Sequence, residues 1–120
     1  MIRILAVDDS PAMREMVSIA LKAAGFDVTA AVDGVSALQL ARKSTYDLVL
    51  SDVNMPDMNG IALIRALRAE PAYKYTPILM LTTEASPERK NEGRQAGATG
   101  WIVKPFDPEQ LVATMKRVLR

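Results

Sequence analysis

The sequence predicts an α/β fold: a three-layer, doubly wound (βα)5 domain built on a five-stranded parallel sheet. Short apolar runs alternate five times with helical patterns along the 120 residues. The run at 48–50 is continuously apolar, which is typical of a strand buried on both faces. Acidic residues follow the first and third runs. This favours the strand order 2-1-3-4-5, because the switch point of that order lies between those two strands.

The five strands are expected at short runs of aliphatic and β-branched residues. Their predicted spans, in chain order, are 2–7, 27–31, 48–52, 78–81 and 100–103. The second run is less apolar than the others, so its strand is the weakest prediction of the five. Because crossovers between parallel strands are right-handed, helices should cover both faces of the sheet.

Each helix is predicted from a capping residue followed by residues at helical spacing. The first begins after Ser10, has Pro11 in its first turn and ends at Gly25. The sequence at 107–110 resembles a capping box for the last helix. The other caps, in chain order, are Asp33, Asn59 or Gly60, Ser86 and Asp107, and the second, third and fourth helices end near residues 43, 69 and 97.

The fourth helix differs from the others because it has almost no apolar stripe. Residues 89–95 are all charged residues, asparagine, glutamine or glycine, and a glycine inside a helix weakens it. We expect this helix to pack weakly and to move easily. An ordinary solvated helix has the same composition, so both interpretations stay open.

Composition limits the classes of function. The length predicts one domain over 1–120. A net charge of +1, with acids and bases interspersed, gives no block of charge for nucleic acid or an acidic membrane surface. The absence of Cys and His excludes disulfides, Cys/His zinc sites and histidine-based triads. No apolar run is long enough for a signal peptide or a membrane span, so we expect a soluble, cytoplasmic protein.

Polar residues follow four of the five predicted strands, and in a parallel sheet these strand ends share one edge. They are Asp8 with Asp9, Asp52, Thr82 and Lys104. Each close pair of carboxylates repels by on the order of 4 kcal/mol at an effective dielectric of about 20, so cations must compensate. Mg²⁺, which prefers carboxylates and water, is one candidate, and Lys104 is the other. A carboxylate nucleophile, cations and a hydroxyl are the groups that phosphoryl transfer requires, and Asp52 is the leading nucleophile.

The whole chain resembles the receiver domains of two-component response regulators, whose fold is flavodoxin-like. The segments that carry the resemblance are AVDDS at 6–10, LVLSDVNMPDMNG at 48–60, LTTEA at 81–85 and GWIVKPF at 100–106. The resemblance implies that Asp52 accepts a phosphoryl group from the phosphohistidine of a histidine kinase. It implies a signalling protein and not an enzyme, although one that assists its own phosphorylation and dephosphorylation.

The resemblance also implies how the groups around the phosphoryl group act. Lys104 holds a phosphoryl oxygen, as do backbone groups of Asn54 and Thr83, and the bond between Lys104 and Pro105 is expected to be cis. Mg²⁺, or Mn²⁺ in its place, is bound by Asp9, Asp52 and the backbone carbonyl of Asn54, with Asp8 acting through water.

A switch is implied as well. Thr82 is the switch hydroxyl, and Trp101 stands where the family usually has tyrosine or phenylalanine as the switch aromatic. Its larger ring is expected to fit less readily into the space that Thr82 vacates, and an ordinary half-buried strand aromatic remains the alternative. Because Trp101 and Lys104 are three residues apart, they should face opposite sides of the sheet. Asn54 and Glu84 occupy the positions that tune phosphoryl lifetime, and both match the chemotaxis type.

The expected output is a change in the surface of helix 4, strand 5 and helix 5. A monomer would then bind a target protein, such as the flagellar motor switch, without contacting nucleic acid or membrane. The receiver of a longer regulator or kinase would give the same sequence. A Mg²⁺-dependent phosphatase of the haloacid dehalogenase type is a further alternative. It is disfavoured because Asn54 stands where that class needs an acidic proton donor. A flavin-binding domain is disfavoured by the acidic loop after the first strand, and a pseudo-receiver by the complete set of site residues.

Overall fold

Five strands and five α-helices alternate along the described part of the chain, as the sequence predicts. The structure is a computed structural model that describes residues 1–83 and 86–119. The strands are β1 (Arg3–Val7), β2 (Asp27–Ala31), β3 (Leu48–Ser51), β4 (Ile78–Thr82) and β5 (Gly100–Val103). The helices are α1 (Pro11–Ala23), α2 (Gly34–Lys43), α3 (Gly60–Arg68), α4 (Pro87–Ala96) and α5 (Pro108–Val118).

The sheet is parallel throughout and has the order β2-β1-β3-β4-β5, which confirms the predicted topology. Every residue of β3 and β4 is buried, as expected for strands with helices on both faces. Val7 of β1 pairs with Ser51 of β3. The next residue on each strand is an aspartate, so this register places Asp8 and Asp52 side by side.

Two apolar clusters lie on the two faces of the sheet and make the three layers. One face packs against α1 and α5, through Val17, Leu21, Leu111 and Met115. The other packs against α2, α3 and α4, and its α3 contribution includes Ile61, Ile64 and Leu67 on one side of the helix, as predicted. No helix within residues 1–83 and 86–119 is long and apolar enough to cross a membrane.

The helix caps agree with the predictions in position and differ in detail at two helices. Asn59, and not Gly60, caps α3, because its side chain accepts a hydrogen bond from the N–H of Ala62 at 2.9 Å. Asp107 caps α5 through the N–H of Glu109 at 3.1 Å, a tighter local turn than the predicted capping box. A short 3-10 helix, Pro71–Tyr73, follows α3 and was not predicted. The remaining predicted caps, all confirmed, are Ser10, Asp33 and Ser86.

Candidate functional site

Three carboxylates meet at the C-terminal edge of the sheet, as predicted. Asp8 and Asp9 follow β1, and Asp52 follows β3. One oxygen from each of the three lies within 4.8 Å of the others. Asp8 and Asp52 are buried, whereas Asp9 is exposed. The cluster therefore has two desolvated anions and one anion that opens to solvent.

Lys104 is the cation that neutralises the buried pair. Its Nζ donates to Asp8 Oδ2 at 2.8 Å and to Asp52 Oδ2 at 3.2 Å. Burial alone would lower the pKa of the Lys104 ammonium, but the hydrogen bond to Asp8 and the charge of Asp52 raise it above its usual value. Lys104 is thus a fixed positive charge at neutral pH. The Lys104–Pro105 peptide bond is cis, as expected.

The two buried carboxylates are held on both oxygens. Asp52 Oδ1 accepts from the N–H of Val53 at 2.7 Å, and Asp8 Oδ1 accepts from the N–H of Ser10 at 2.9 Å. Their other oxygens accept from Lys104. The Arg14 guanidinium also donates to the backbone carbonyl of Asp8 at 2.7 Å, a contact that sequence reasoning missed because no local pattern indicates it. Hydrogen bonds within the protein therefore fix the orientation of both carboxylates.

The other predicted residues surround this cluster. Thr82 is fully buried at the end of β4, and its carbonyl accepts from the N–H of Lys104 at 2.9 Å. Asn54 and Thr83 are exposed in the loops that follow β3 and β4. Their backbone roles stay predictions. Glu84, the second residue predicted to tune phosphoryl lifetime, lies outside the described residues.

Trp101 lies on the face of the sheet that packs against α2, α3 and α4. It is half-buried, pairs in register with Met80 of β4, and joins the same apolar cluster. Lys104 Nζ instead donates to Asp8 and Asp52 at the strand ends, so the ammonium lies at the carboxylates and not in this apolar cluster. That the two side chains face opposite sides of the sheet stays a prediction. The indole Nε1 is buried and has no hydrogen-bond partner among the described residues.

Two glycines allow the loop after β3 to lie close to its neighbours. A Cβ at Gly60 would collide with the carbonyl oxygen of Asp52, and it would lie 2.5 Å from Met80 Cε. A Cβ at Gly34 would lie 2.6 Å from the carbonyl oxygen of Met58. Sequence reasoning treated Gly60 only as a helix start, since a close approach between distant residues leaves no local signal.

The donor set of the site fits a hard divalent cation. Asp8, Asp9 and Asp52 offer only carboxylate oxygens, and their mutual distances allow one small ion to contact all three. Mg²⁺ and Mn²⁺ prefer such all-oxygen ligand sets, whereas zinc and copper sites are built mainly from nitrogen and sulfur ligands.

Comparisons with known proteins identify the class. A sequence profile described as the response regulator receiver domain matches residues 4–116. The chain belongs to the response regulator receiver family. Among its relatives, chemotaxis protein CheY-3 of Vibrio cholerae is 44% identical over 98% of this chain and 88% of its own length.

Solved structures agree with this assignment of the receiver domain. The crystal structure of Vibrio cholerae chemotaxis protein CheY4 superposes with a TM-score of 0.95, at 55% identity over 98% of both chains. The receiver domain of sensor histidine kinase PA1611 from Pseudomonas aeruginosa, with a magnesium ion coordinated in its active-site cleft, gives a TM-score of 0.91. It is 30% identical over 98% of this chain and 96% of that one.

Addition of Mg²⁺ is expected to stabilise this receiver domain. At a concentration about 100 times its Kd, the ion should raise the free energy of unfolding by roughly 2.7 kcal/mol, because it binds only the folded site. Urea titrations with EDTA and with Mg²⁺ measure the difference. Asp9→Asn is the matched control. It should lose most of the Mg²⁺ effect without losing metal-free stability, since Asp9 is exposed and its charge repels the two neighbouring carboxylates. An unchanged wild-type curve would contradict the assignment of the metal site.

Proposed function

We propose that this chain is a phosphorylation-controlled regulator of chemotaxis, in which Asp52 accepts a phosphoryl group from the phosphohistidine of a histidine kinase. The observation that carries the proposal is the cluster of carboxylates within 4.8 Å, with Lys104 joining its two buried members. The similarity to CheY chemotaxis proteins supports the biological setting.

In the proposed step, a carboxylate oxygen of Asp52 attacks the phosphorus of the donor. The P–N bond breaks, its electron pair stays on the imidazole nitrogen, and an acyl phosphate forms on Asp52. These 120 residues contain no histidine, so the donor histidine lies outside them. The hydrogen bonds from Val53 and Lys104 fix the carboxylate for attack, and such positioning supplies much of the catalysis in phosphoryl transfer.

The other site residues neutralise the charge of the phosphoryl group. Lys104, whose Nζ is already 3.2 Å from Asp52 Oδ2, can donate to a phosphoryl oxygen. We assign the binding of the remaining phosphoryl oxygens to backbone groups of Asn54 and Thr83. Mg²⁺, or Mn²⁺ in its place, would supply positive charge that neutralises the phosphoryl group when bound by this site. The ligands that we assign to the ion are Asp8, Asp9, Asp52 and the backbone carbonyl of Asn54. The magnesium coordinated in the PA1611 receiver supports this assignment.

Phosphorylation then acts as a switch. The acyl phosphate adds roughly one to two negative charges, Thr82 turns toward it, and Trp101 follows inward. The α4–β5–α5 surface changes as a result. A shift from 1:99 to 99:1 requires about 5.5 kcal/mol of differential interaction, which charge-assisted hydrogen bonds can supply. The monomer, in the cytoplasm, then binds a target protein such as the flagellar motor switch. It acts as a signalling phosphoacceptor and not as an enzyme with a separate substrate.

Acetyl phosphate tests the phosphoacceptor directly. Incubation with acetyl phosphate and Mg²⁺ should add one phosphoryl group to the wild-type chain and none to Asp52→Asn, as measured by intact mass. Asp57→Asn is the matched control, because Asp57 is an exposed aspartate in the same loop and should leave the modification intact. Modification of Asp52→Asn, or steady turnover of a phosphomonoester, would contradict the proposal.

A further inference from the structure

The Asp9 carboxylate lies close to its two buried neighbours without a hydrogen bond of its own. One of its oxygens is within 4.8 Å of an oxygen of Asp8 and of Asp52. Asp9 is exposed, and within the described part of the chain its side chain has no hydrogen-bond partner. Asp8 and Asp52, by contrast, accept hydrogen bonds on both oxygens. The direction of the Asp9 side chain must therefore come from the backbone that carries it.

The peptide groups on both sides of Asp9 are held by hydrogen bonds. A peptide group is planar, so a hydrogen bond at its oxygen or its nitrogen restrains the whole unit. The carbonyl oxygen of Asp8, in the group that precedes Asp9, accepts from Arg14 Nη1 at 2.7 Å. The N–H of Ser10, in the group that follows, donates to Asp8 Oδ1 at 2.9 Å. The Cα of Asp9 is therefore fixed between two restrained planes.

The first turn of α1 places Arg14 for this contact. The backbone N–H of Arg14 donates to the carbonyl of Ser10 at 3.0 Å, and the Ser10 hydroxyl accepts from the N–H of Met13 at 3.3 Å. This capped turn fixes the Cα of Arg14 relative to the loop that carries Asp9. A hydrogen bond from a charged donor is roughly twice as strong as one between neutral groups. Arg14 thus joins α1 firmly to the end of β1.

The charge of Arg14 acts on a bound cation in the opposite direction to its hydrogen bond. Arg14, Asp8 and Asp52 line one small cavity at the C-terminal ends of β1 and β3. A positive charge this close to the carboxylates repels a divalent cation. Removing Arg14 would strengthen cation binding if its charge dominated, and would weaken binding if the contact with the Asp8 carbonyl dominated. The sign of the effect therefore distinguishes the two roles.

We propose that Arg14 is a positioning residue for divalent-cation binding: it holds the Asp8–Asp9 peptide group so that the Asp9 carboxylate faces Asp8 and Asp52. The inference rests on the metal site of the proposed function, and it adds to that site a residue that acts only through Asp9. Two basic residues then have separate tasks. Lys104 neutralises the buried carboxylates, and Arg14 orients the exposed one.

Mn²⁺ binding, measured from the free-ion signal in electron paramagnetic resonance, tests this role. Arg14→Met, which removes the donor and the charge but keeps most of the aliphatic length, should raise the Kd for Mn²⁺ by about tenfold. Arg14→Lys should stay within about threefold of the wild type, because lysine keeps the charge and a donor, and the contact with Asp8 uses only Nη1. An unchanged or lower Kd in Arg14→Met would overturn the inference. So would a Kd in Arg14→Lys as high as in Arg14→Met.

Lys22→Met is the matched control. Lys22 is exposed in the last turn of α1, so this substitution removes one positive charge from the same helix and leaves the loop after β1 intact. Its Kd for Mn²⁺ should differ from the wild-type value by less than about twofold, because salt screens exposed charges that are far apart. A rise equal to that in Arg14→Met would mean that the hydrogen bond of Arg14 is not the cause.

Hydrogen exchange in EDTA examines the same contact without a metal ion. Mass spectrometry on a peptide covering residues 8–13 should show about tenfold faster exchange in Arg14→Met than in Lys22→Met, as expected for the loss of one hydrogen bond. Equal exchange in the two variants would show that Arg14 does not hold this loop. Arg14→Gln, whose side chain is shorter, replaces Arg14→Met if the latter does not fold.

The outcomes separate this inference from the proposed function. If acetyl phosphate with Mg²⁺ phosphorylates the wild-type chain, and Arg14→Met binds Mn²⁺ as tightly as the wild type, only the role of Arg14 is wrong. If the wild-type chain neither binds Mn²⁺ nor gains a phosphoryl group, the proposed function fails, and the role of Arg14 in cation binding fails with it.

Discussion

Substituting alanine for Gly60 should lower the free energy of unfolding by about 4 kcal/mol or more, well beyond the cost of a typical point mutation. The new Cβ would collide with the carbonyl oxygen of Asp52, and it would lie 2.5 Å from Met80 Cε. A flexible methionine can move, but the carbonyl belongs to the backbone of Asp52, the proposed phosphoacceptor. The backbone must therefore shift at Asp52 or at the start of α3.

Gly60→Ala should impair phosphorylation and Mg²⁺ binding as well as stability. The N–H of Gly60 donates to the carbonyl of Val53 at 2.9 Å, and the N–H of Val53 in turn orients Asp52. A shift of this turn moves the carboxylate relative to Lys104. Where Gly60→Ala still folds at low temperature, we expect slow phosphorylation by acetyl phosphate and weak Mg²⁺ binding. Chemical denaturation and intact mass on the same preparation measure both effects.

Gly25→Ala is the control for this substitution. Gly25 has a φ of +92°, and nothing lies within 4 Å of its ideal Cβ, so alanine there adds backbone strain without a collision. Its expected cost is about 1–2 kcal/mol, with phosphorylation unchanged. Equal losses in Gly60→Ala and Gly25→Ala would mean that the close approach at Asp52 does not determine the effect.

The contrast between these glycines shows which features the sequence can predict. Asp8, Asp52 and Lys104 were predicted to meet because parallel strands bring their C-terminal ends to one edge. That inference needs only strand direction and order. The need for glycine at Gly60 depends on the close approach of its backbone to a carbonyl eight residues earlier in the chain, and no periodicity encodes such an approach.

Side-chain reach accounts for the other features that sequence reasoning missed. Arg68 follows an apolar helical pattern, and an arginine there is typical of a solvated helix end. In the structure its guanidinium instead binds Gly97, which is 29 residues away along the chain. The weak apolar stripe of α4 was predicted, but the close contact between Gly93 and Trp101 appears only in the structure. Sequence patterns thus predict secondary-structure elements and their buried faces. The partners of a long side chain depend instead on which residues the fold brings close to it.

Removing the ammonium of Lys104 should produce the other large effect. In metal-free buffer, Lys104→Met should lower the free energy of unfolding by roughly 3–5 kcal/mol, because it leaves two buried carboxylates without their cation. The side chains of Lys104, Asp8 and Asp52 are only 11%, 7% and 9% exposed, so water compensates little. Methionine keeps most of the aliphatic length, which limits the loss of packing.

Adding Mg²⁺ to Lys104→Met separates the contribution of the lysine charge to stability from the contribution of its packing. If charge neutralisation is its role, a divalent ion on Asp8 and Asp52 should recover much of the stability lost in Lys104→Met. Urea titrations of the variant with EDTA and with saturating Mg²⁺ measure this recovery. Lys90→Met, at an exposed position on α4, is the control and should change stability by less than about 0.5 kcal/mol. An equal deficit of Lys104→Met with and without Mg²⁺ would assign Lys104 to packing alone. Neutralisation of Asp8 and Asp52 by Lys104 would then not contribute to stability, and the orientation of the Asp52 carboxylate would have to come from other contacts.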